Sequence, residues 1–281
     1  MRFKNVLKVL LFAGLGVACY FAYSHLYEQM QKEFAHFNLP AEGGQSAPRT
    51  PQLKLAGFNP GNLISDAEFF NADAMSESQV RTFIQEWNKG CVGNGDVPCL
   101  ADFSVRVDPR PASQYCPYPL AGGYLDAAGV IYQVSQACQV NPQVLLVTLQ
   151  KEQGLLTASG RKLTSERYQI AMGYGCPDSA KCDEQFYGFE NQVYGAAQQF
   201  QRYRLRPQLY AVKAEQENLL YFHPDRACGS RPVWVENQAT AGLYNYTPYQ
   251  PSDLTLSGVS EACSTWGNLN FYGLYQAWFK P

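Results

Sequence analysis

The chain has 281 residues, a formal net charge of −2 and 19 tyrosines. That length holds one large domain or two small ones, and with no basic run after the N-terminus nothing supports nucleic-acid binding. The three histidines of the whole chain leave little material for Ser-His-Asp or Cys-His hydrolysis.

Residues 1–25 read as a membrane anchor. Arg2, Lys4 and Lys8 precede Val9–Tyr23, a run without a charge, so the positive-inside rule places the rest of the chain outside the cytoplasm. Leu15-Gly-Val-Ala-Cys19 also fits a lipoprotein cleavage site, and a cleaved signal peptide is a further alternative. The apolar residues continuing past Cys19 favour an uncleaved, single-pass anchor in the cytoplasmic membrane. Residues 26–57 read as stalk and Pro/Gly/Ser-rich linker, and 58–281 as one extracytoplasmic domain in the periplasm or cell-wall space.

Of nine cysteines, eight follow the anchor: Cys91, Cys99, Cys116, Cys138, Cys176, Cys182, Cys228 and Cys263. An even number in an exported domain points to disulfides. Short loops suggest Cys91–Cys99 and Cys176–Cys182, and the remainder could then pair as Cys116–Cys138 and Cys228–Cys263. No C-x-x-C pair, phosphate-cradling glycine motif or dinucleotide fingerprint occurs, so no metal and no cofactor are expected.

Within the domain, Ser76-Glu-Ser-Gln79 is a capping-box pattern that predicts a helix to about Asn88. Tyr124–Ala137 predicts a second, with Val130, Ile131 and Val134 at helical spacing. The third starts at Asn141, a favourable N-cap followed by Pro142, and stops at Gly154. Val144–Val147 are apolar on every side, so this helix should be packed all round. It carries Glu152 on the stripe of Leu145 and Leu149, and apolar surroundings there would raise a carboxyl pKa toward the range of a general acid. The plain alternative is an exposed Glu in a fraying last turn, paired with Lys151 or with nothing.

Arg161–Ile170 reads as irregular, Ala171–Asp178 as a glycine-punctuated loop, and Gly188–Arg204 as a helix with Val193, Ala196, Ala197 and Phe200 inward. Pro232–Glu236 alternates like a strand. Asn237–Tyr244 predicts a brief helix, Leu243–Tyr249 a turn-bound polar-aromatic cluster, and Trp266–Phe279 an aromatic closing segment. The fold class is therefore mainly α (α+β).

With His223 read as a loop histidine, carboxylate chemistry remains, and glycoside cleavage needs such a group to protonate the departing oxygen. A sugar polymer also needs aromatic rings and amides along a groove. The candidates are Tyr174, Tyr187, Asn191, Gln192, Tyr194, Tyr244, Asn245, Tyr246 and Tyr249. Asp178, Asp183, Glu184 and Glu190 are the nearest candidates for a second carboxylate.

The stretch Val140-Asn-Pro-Gln-Val-Leu-Leu through Glu152 resembles the catalytic helix of the goose-type lysozyme and lytic transglycosylase superfamily. Ala171-Met-Gly-Tyr-Gly175, Asn191–Phe200 and Leu243-Tyr-Asn245 echo that superfamily's later loop, helix and Tyr-Asn motif. A closer likeness is to exported, cysteine-containing bacterial domains of that type, over Asn59–Asp66, Leu149–Gly154, Ala171–Asp178 and Tyr244–Pro251. Gln153 stands where transglycosylases usually have Ser. The resemblance implies a lysozyme-like domain whose Glu152 acts on the β-1,4 glycan strands of peptidoglycan, with an anhydro product if no second carboxylate is close. A glycan-binding or adhesion module without catalysis is the competing expectation.

Overall fold

The computed structural model describes residues 50–177 and 180–280. The expected anchor, Cys19, most of the linker, and Asp178 lie outside the described residues. Among the described residues no helix is long and apolar enough to cross a membrane.

Chain order runs α1 Asp66–Phe69, α2 Glu77–Trp87, β1 Ser104–Val107, β2 Gly123–Asp126, α3 Ala127–Cys138 and α4 Pro142–Gln153. It continues through α5 Ser165–Gln169, α6 Phe189–Leu205, β3 Gln216–Tyr221, β4 Ser230–Val235, α7 Gln238–Tyr246, α8 Asp253–Leu256 and α9 Gly267–Phe279. The architecture is mixed α+β with helices dominant. β1–β2 and β3–β4 form two separate antiparallel pairs.

Local chemistry explains the boundaries. The capping box at α2 is complete, with Ser76 accepting from the Gln79 amide and the Gln79 side chain accepting from the Ser76 amide. Asn141 caps α4 by accepting from the Gln143 amide at 2.7 Å, Pro142 fills the first turn, and Gly154 ends the helix at φ 63°. Val144 to Val147 are fully buried, because α4 packs between α3 and α9. α3 rests on α2 and α6, and α6 on α7.

The structure corrects some expectations. Tyr124 and Leu125 belong to strand β2, not to a helix. The cause is Asp126, which accepts from the Gly129 amide at 2.7 Å and so starts α3 at Ala127, three residues later than expected. The segment 161–170 contains a short helix, α5. α7 runs on to Tyr246, so the first four residues of the expected turn-bound cluster are helical. Packing also begins before Phe58. The Lys54 amide donates to the Gly273 carbonyl at 3.1 Å and the Tyr272 hydroxyl to that of Ala56 at 3.0 Å, which lays this end of the linker along α9.

All four disulfides pair as expected: Cys91–Cys99, Cys116–Cys138, Cys176–Cys182 and Cys228–Cys263. α9 closes the core with aromatic rings, Trp278 lying 5.3 Å from Phe83 and 5.0 Å from Trp87 between centroids.

Candidate functional site

Glu152 stands in the last turn of α4, one turn beyond the buried Leu149. Its side chain is 23% exposed, so it is neither in open solvent nor sealed. Its partner corrects the expected apolar setting: the Lys151 ammonium is ion-paired with Oε1. The Lys151 side chain is only 4% exposed. Its Nζ also donates to Thr247 Oγ1 at 2.8 Å and lies 5.9 Å from the centre of the Tyr246 ring. Neighbouring residues on a helix are about 100° apart and do not normally meet. Here the ammonium is held against the end of α7, and the carboxylate bends toward it.

Beside Glu152 lies a cavity of about 260 Å³, bordered by Ile170, Gly173, Tyr246, Thr247 and Tyr249. A second cavity of about 530 Å³ is bordered by Tyr174, Lys181, Asp183, Phe186, Gln199 and Tyr203. Gly173, Cys176 and Tyr246 border both, so the two adjoin as one groove. The 171–175 loop forms its near wall. At Gly173, φ is +68°, and a Cβ would sit 2.9 Å from Glu152 Oε2. Only glycine lets the loop pass so close to the carboxylate.

Gln192 builds that loop. It is fully buried in α6, accepts from the amides of Met172 and Tyr174 at 3.1 and 3.0 Å, and donates to the carbonyls of Tyr174 and Phe186. Gly195, about one helical turn on, leaves room for the Tyr174 ring: a Cβ there would be 2.3 Å from Tyr174 Cδ1.

Of the nine expected groove residues, Tyr174, Tyr246 and Tyr249 border the cavities. The others do not. Gln192 is a spent amide holding the loop. Tyr244 is fully buried in the core, and its hydroxyl has no hydrogen-bond partner among the described residues. Asn245 clamps Val212, accepting from its amide at 3.0 Å and donating to its carbonyl at 2.7 Å. Asn191 accepts from Arg110 and donates to the Tyr187 carbonyl, while the Arg110 guanidinium sits 4.3 Å over the Tyr194 ring. Asn191 and Tyr194 therefore fasten residue 110 to α6, and Tyr187 borders neither cavity. His223 is a loop residue whose Nδ1 accepts from the Asp225 amide at 3.0 Å.

Sequence reasoning missed Phe186 and Tyr203, which carried no signal; Lys151 was expected only as the partner of a plain exposed Glu152, and Gly173 and Thr247 only as members of the 171–175 loop and the 243–249 cluster. Burial pushes the Tyr203 hydroxyl up to about 12. Burial, reinforced by the charge of Glu152, pushes that of Tyr246 well above its ordinary value. Both hydroxyls stay protonated and donate to backbone carbonyls, Tyr203 to Asn245 at 2.9 Å and Tyr246 to Met172 at 2.7 Å. Their rings, rather than their O–H groups, are what the groove offers a ligand.

Asp183 borders the larger cavity and is held by Gln185. Glu184 and Glu190 border neither cavity. Comparison with protein-family models, with curated proteins and with solved structures finds no match for this chain.

Proposed function

We propose that the groove binds a β-1,4 glycan strand of peptidoglycan and that Glu152 cleaves it. The observation that carries this reading is one part-exposed carboxylate set in the wall of a groove whose rings come from Tyr174, Tyr246 and Tyr249. The resemblance of the α4 sequence to the catalytic helix of goose-type lysozymes and lytic transglycosylases supports it. So do the four disulfides, which favour an exported domain, here held by the N-terminal anchor at the cytoplasmic membrane.

In this mechanism the Glu152 carboxyl gives its proton to the glycosidic oxygen as the bond to the sugar carbon breaks. Among the described residues bordering its own cavity, Glu152 is the sole carboxylate. That favours attack by a hydroxyl of the same sugar, whose proton returns to Glu152, over attack by a water that a second carboxylate would activate. The product then ends in an anhydro sugar.

Full-length protein incubated with purified peptidoglycan should release soluble fragments with anhydro ends, lighter by one water than hydrolytic ones. Release should vanish in Glu152→Gln. Release that survives that substitution would refute the assignment of the acid.

One observation favours a second reading, a glycan-binding module without catalysis. The buried Lys151 ammonium already engages the carboxylate, as it would in a site built to hold rather than to cut. Tight glycan binding with no fragment release would select it.

A further inference from the structure

The outer face of the β3–β4 hairpin is unusual for a surface. Trp234 is 59% and Leu219 58% exposed. Leu219 stands opposite Pro232 and Glu217 opposite Trp234, so the indole, the leucine and the proline share one face. The chain's other three tryptophans are at least half-buried. Large apolar groups gathered on one exposed face mark a binding surface rather than a chance exposure.

Just past the end of β4, two residues beyond Trp234, Glu236 borders a third cavity of about 480 Å³ with Gln208, Lys213, Glu215 and Gln216, its own carboxylate being held by Asn59 and Asn62. Its size is that of a ligand pocket, but beside Pro207 and Ala214 it is lined by amides, carboxylates and an ammonium where such pockets are usually more apolar. The side chains of Gln208, Glu215 and Gln216 have no hydrogen-bond partner among the described residues. An open indole near two unspent amides and the unspent Glu215 carboxylate suits a ligand with one apolar face and many hydroxyls. A pyranose has that chemistry: its C–H face covers the ring, and its hydroxyls reach the amides. A lipid tail would leave the polar cavity unsatisfied.

We propose that this face is a second carbohydrate site, in which Trp234 stacks on one sugar of a glycan chain and a neighbouring sugar enters the polar cavity. It shares no bordering residue with the groove, and its ligand is read from its own residues, so it stands whether or not Glu152 cleaves. Two sites on one chain make long glycans bind more tightly than short ones without new contacts.

The test uses full-length protein carrying Glu152→Gln, which keeps the ligand intact, titrated with a hexamer of β-1,4-linked N-acetylglucosamine. Tryptophan emission should shift to the blue as the indole is covered, and Trp234→Phe should abolish the shift. Trp234→Ala should weaken binding to the hexamer about tenfold with an unchanged melting temperature. Gln216→Ala should weaken it less. The proposal is overturned if emission does not respond to the hexamer, if Trp234→Ala binds undiminished, or if phosphatidylglycerol vesicles shift the emission where the hexamer does not. A tryptophan response in a protein that never releases peptidoglycan fragments would defeat the cleavage reading and leave this one standing.

Discussion

The last turns of α4 and α7 reach the same groove by different routes. α4 is sealed from Val144 to Leu149, and only its end emerges, so the emerging residues, Lys151 and Glu152, meet the cavity together. α7 stays packed to its end, and successive residues scatter: Tyr244 to the core, Asn245 to the Val212 clamp, Tyr246 to the groove, Thr247 to Lys151. A turn-bound cluster could have turned its rings to one side. A helix advances about 100° per residue and cannot. Polar-aromatic runs therefore point to a site only once their backbone is known.

The sharpest break in this comparison is Glu152→Gln. Fragment release should fall by about 10²–10⁴-fold, the usual contribution of a positioned acid, and the melting temperature should drop as well, because the buried Lys151 ammonium loses its counter-charge. Gly173→Ala comes next. A methyl group beside Glu152 Oε2 in left-handed backbone should cost about 1–2 kcal/mol of stability in urea unfolding and lower release about tenfold by displacing the carboxylate. Within α7, the two tyrosines should respond with opposite signs. Tyr246→Phe gives up the bond to Met172 and should lose about 1 kcal/mol, whereas Tyr244→Phe removes an unpartnered buried hydroxyl and should gain about as much. Equal losses in both would sink the distinction between groove and core tyrosine.

The smallest effect is a control away from the groove. Burial works to raise the Asp126 carboxyl, but hydrogen bonds from Arg81 and the Gly129 amide outweigh it and hold it below its ordinary 3.8. A depressed carboxyl stabilises the fold above the unfolded-state value, and that stability drains as pH falls through the folded one. Asp126→Asn should flatten the loss of stability below about pH 4, measured by urea midpoints, and leave fragment release at neutral pH untouched.

Helix starts and stops were legible where a cap announced them, as at Ser76, Asn141 and Gly154. Loop length suggested the disulfides Cys91–Cys99 and Cys176–Cys182, and the other two were one way of pairing what remained. Strand β3 was not legible: Leu219 and Leu220 are neighbours in sequence yet face opposite ways, one exposed and one buried, which hides the alternation. β2 was absorbed into a helix because its apolar Tyr124 and Leu125 run straight into the cap at Asp126. Of the site, Glu152 and the three tyrosines Tyr174, Tyr246 and Tyr249 were legible, the rest not. Lys151 reaches the carboxylate only because Thr247, 96 residues away, anchors its other side, and no local pattern encodes that.

The Cys176–Cys182 ring has a consequence for when the groove exists. Cys176 borders both halves of the groove, so part of that border is a loop whose ends are joined by sulfur rather than by burial. Where thiols are kept reduced, the chain would fold with this stretch tied only at its flanks. On the proposed reading, a groove finished by oxidation would be complete only in an oxidising compartment.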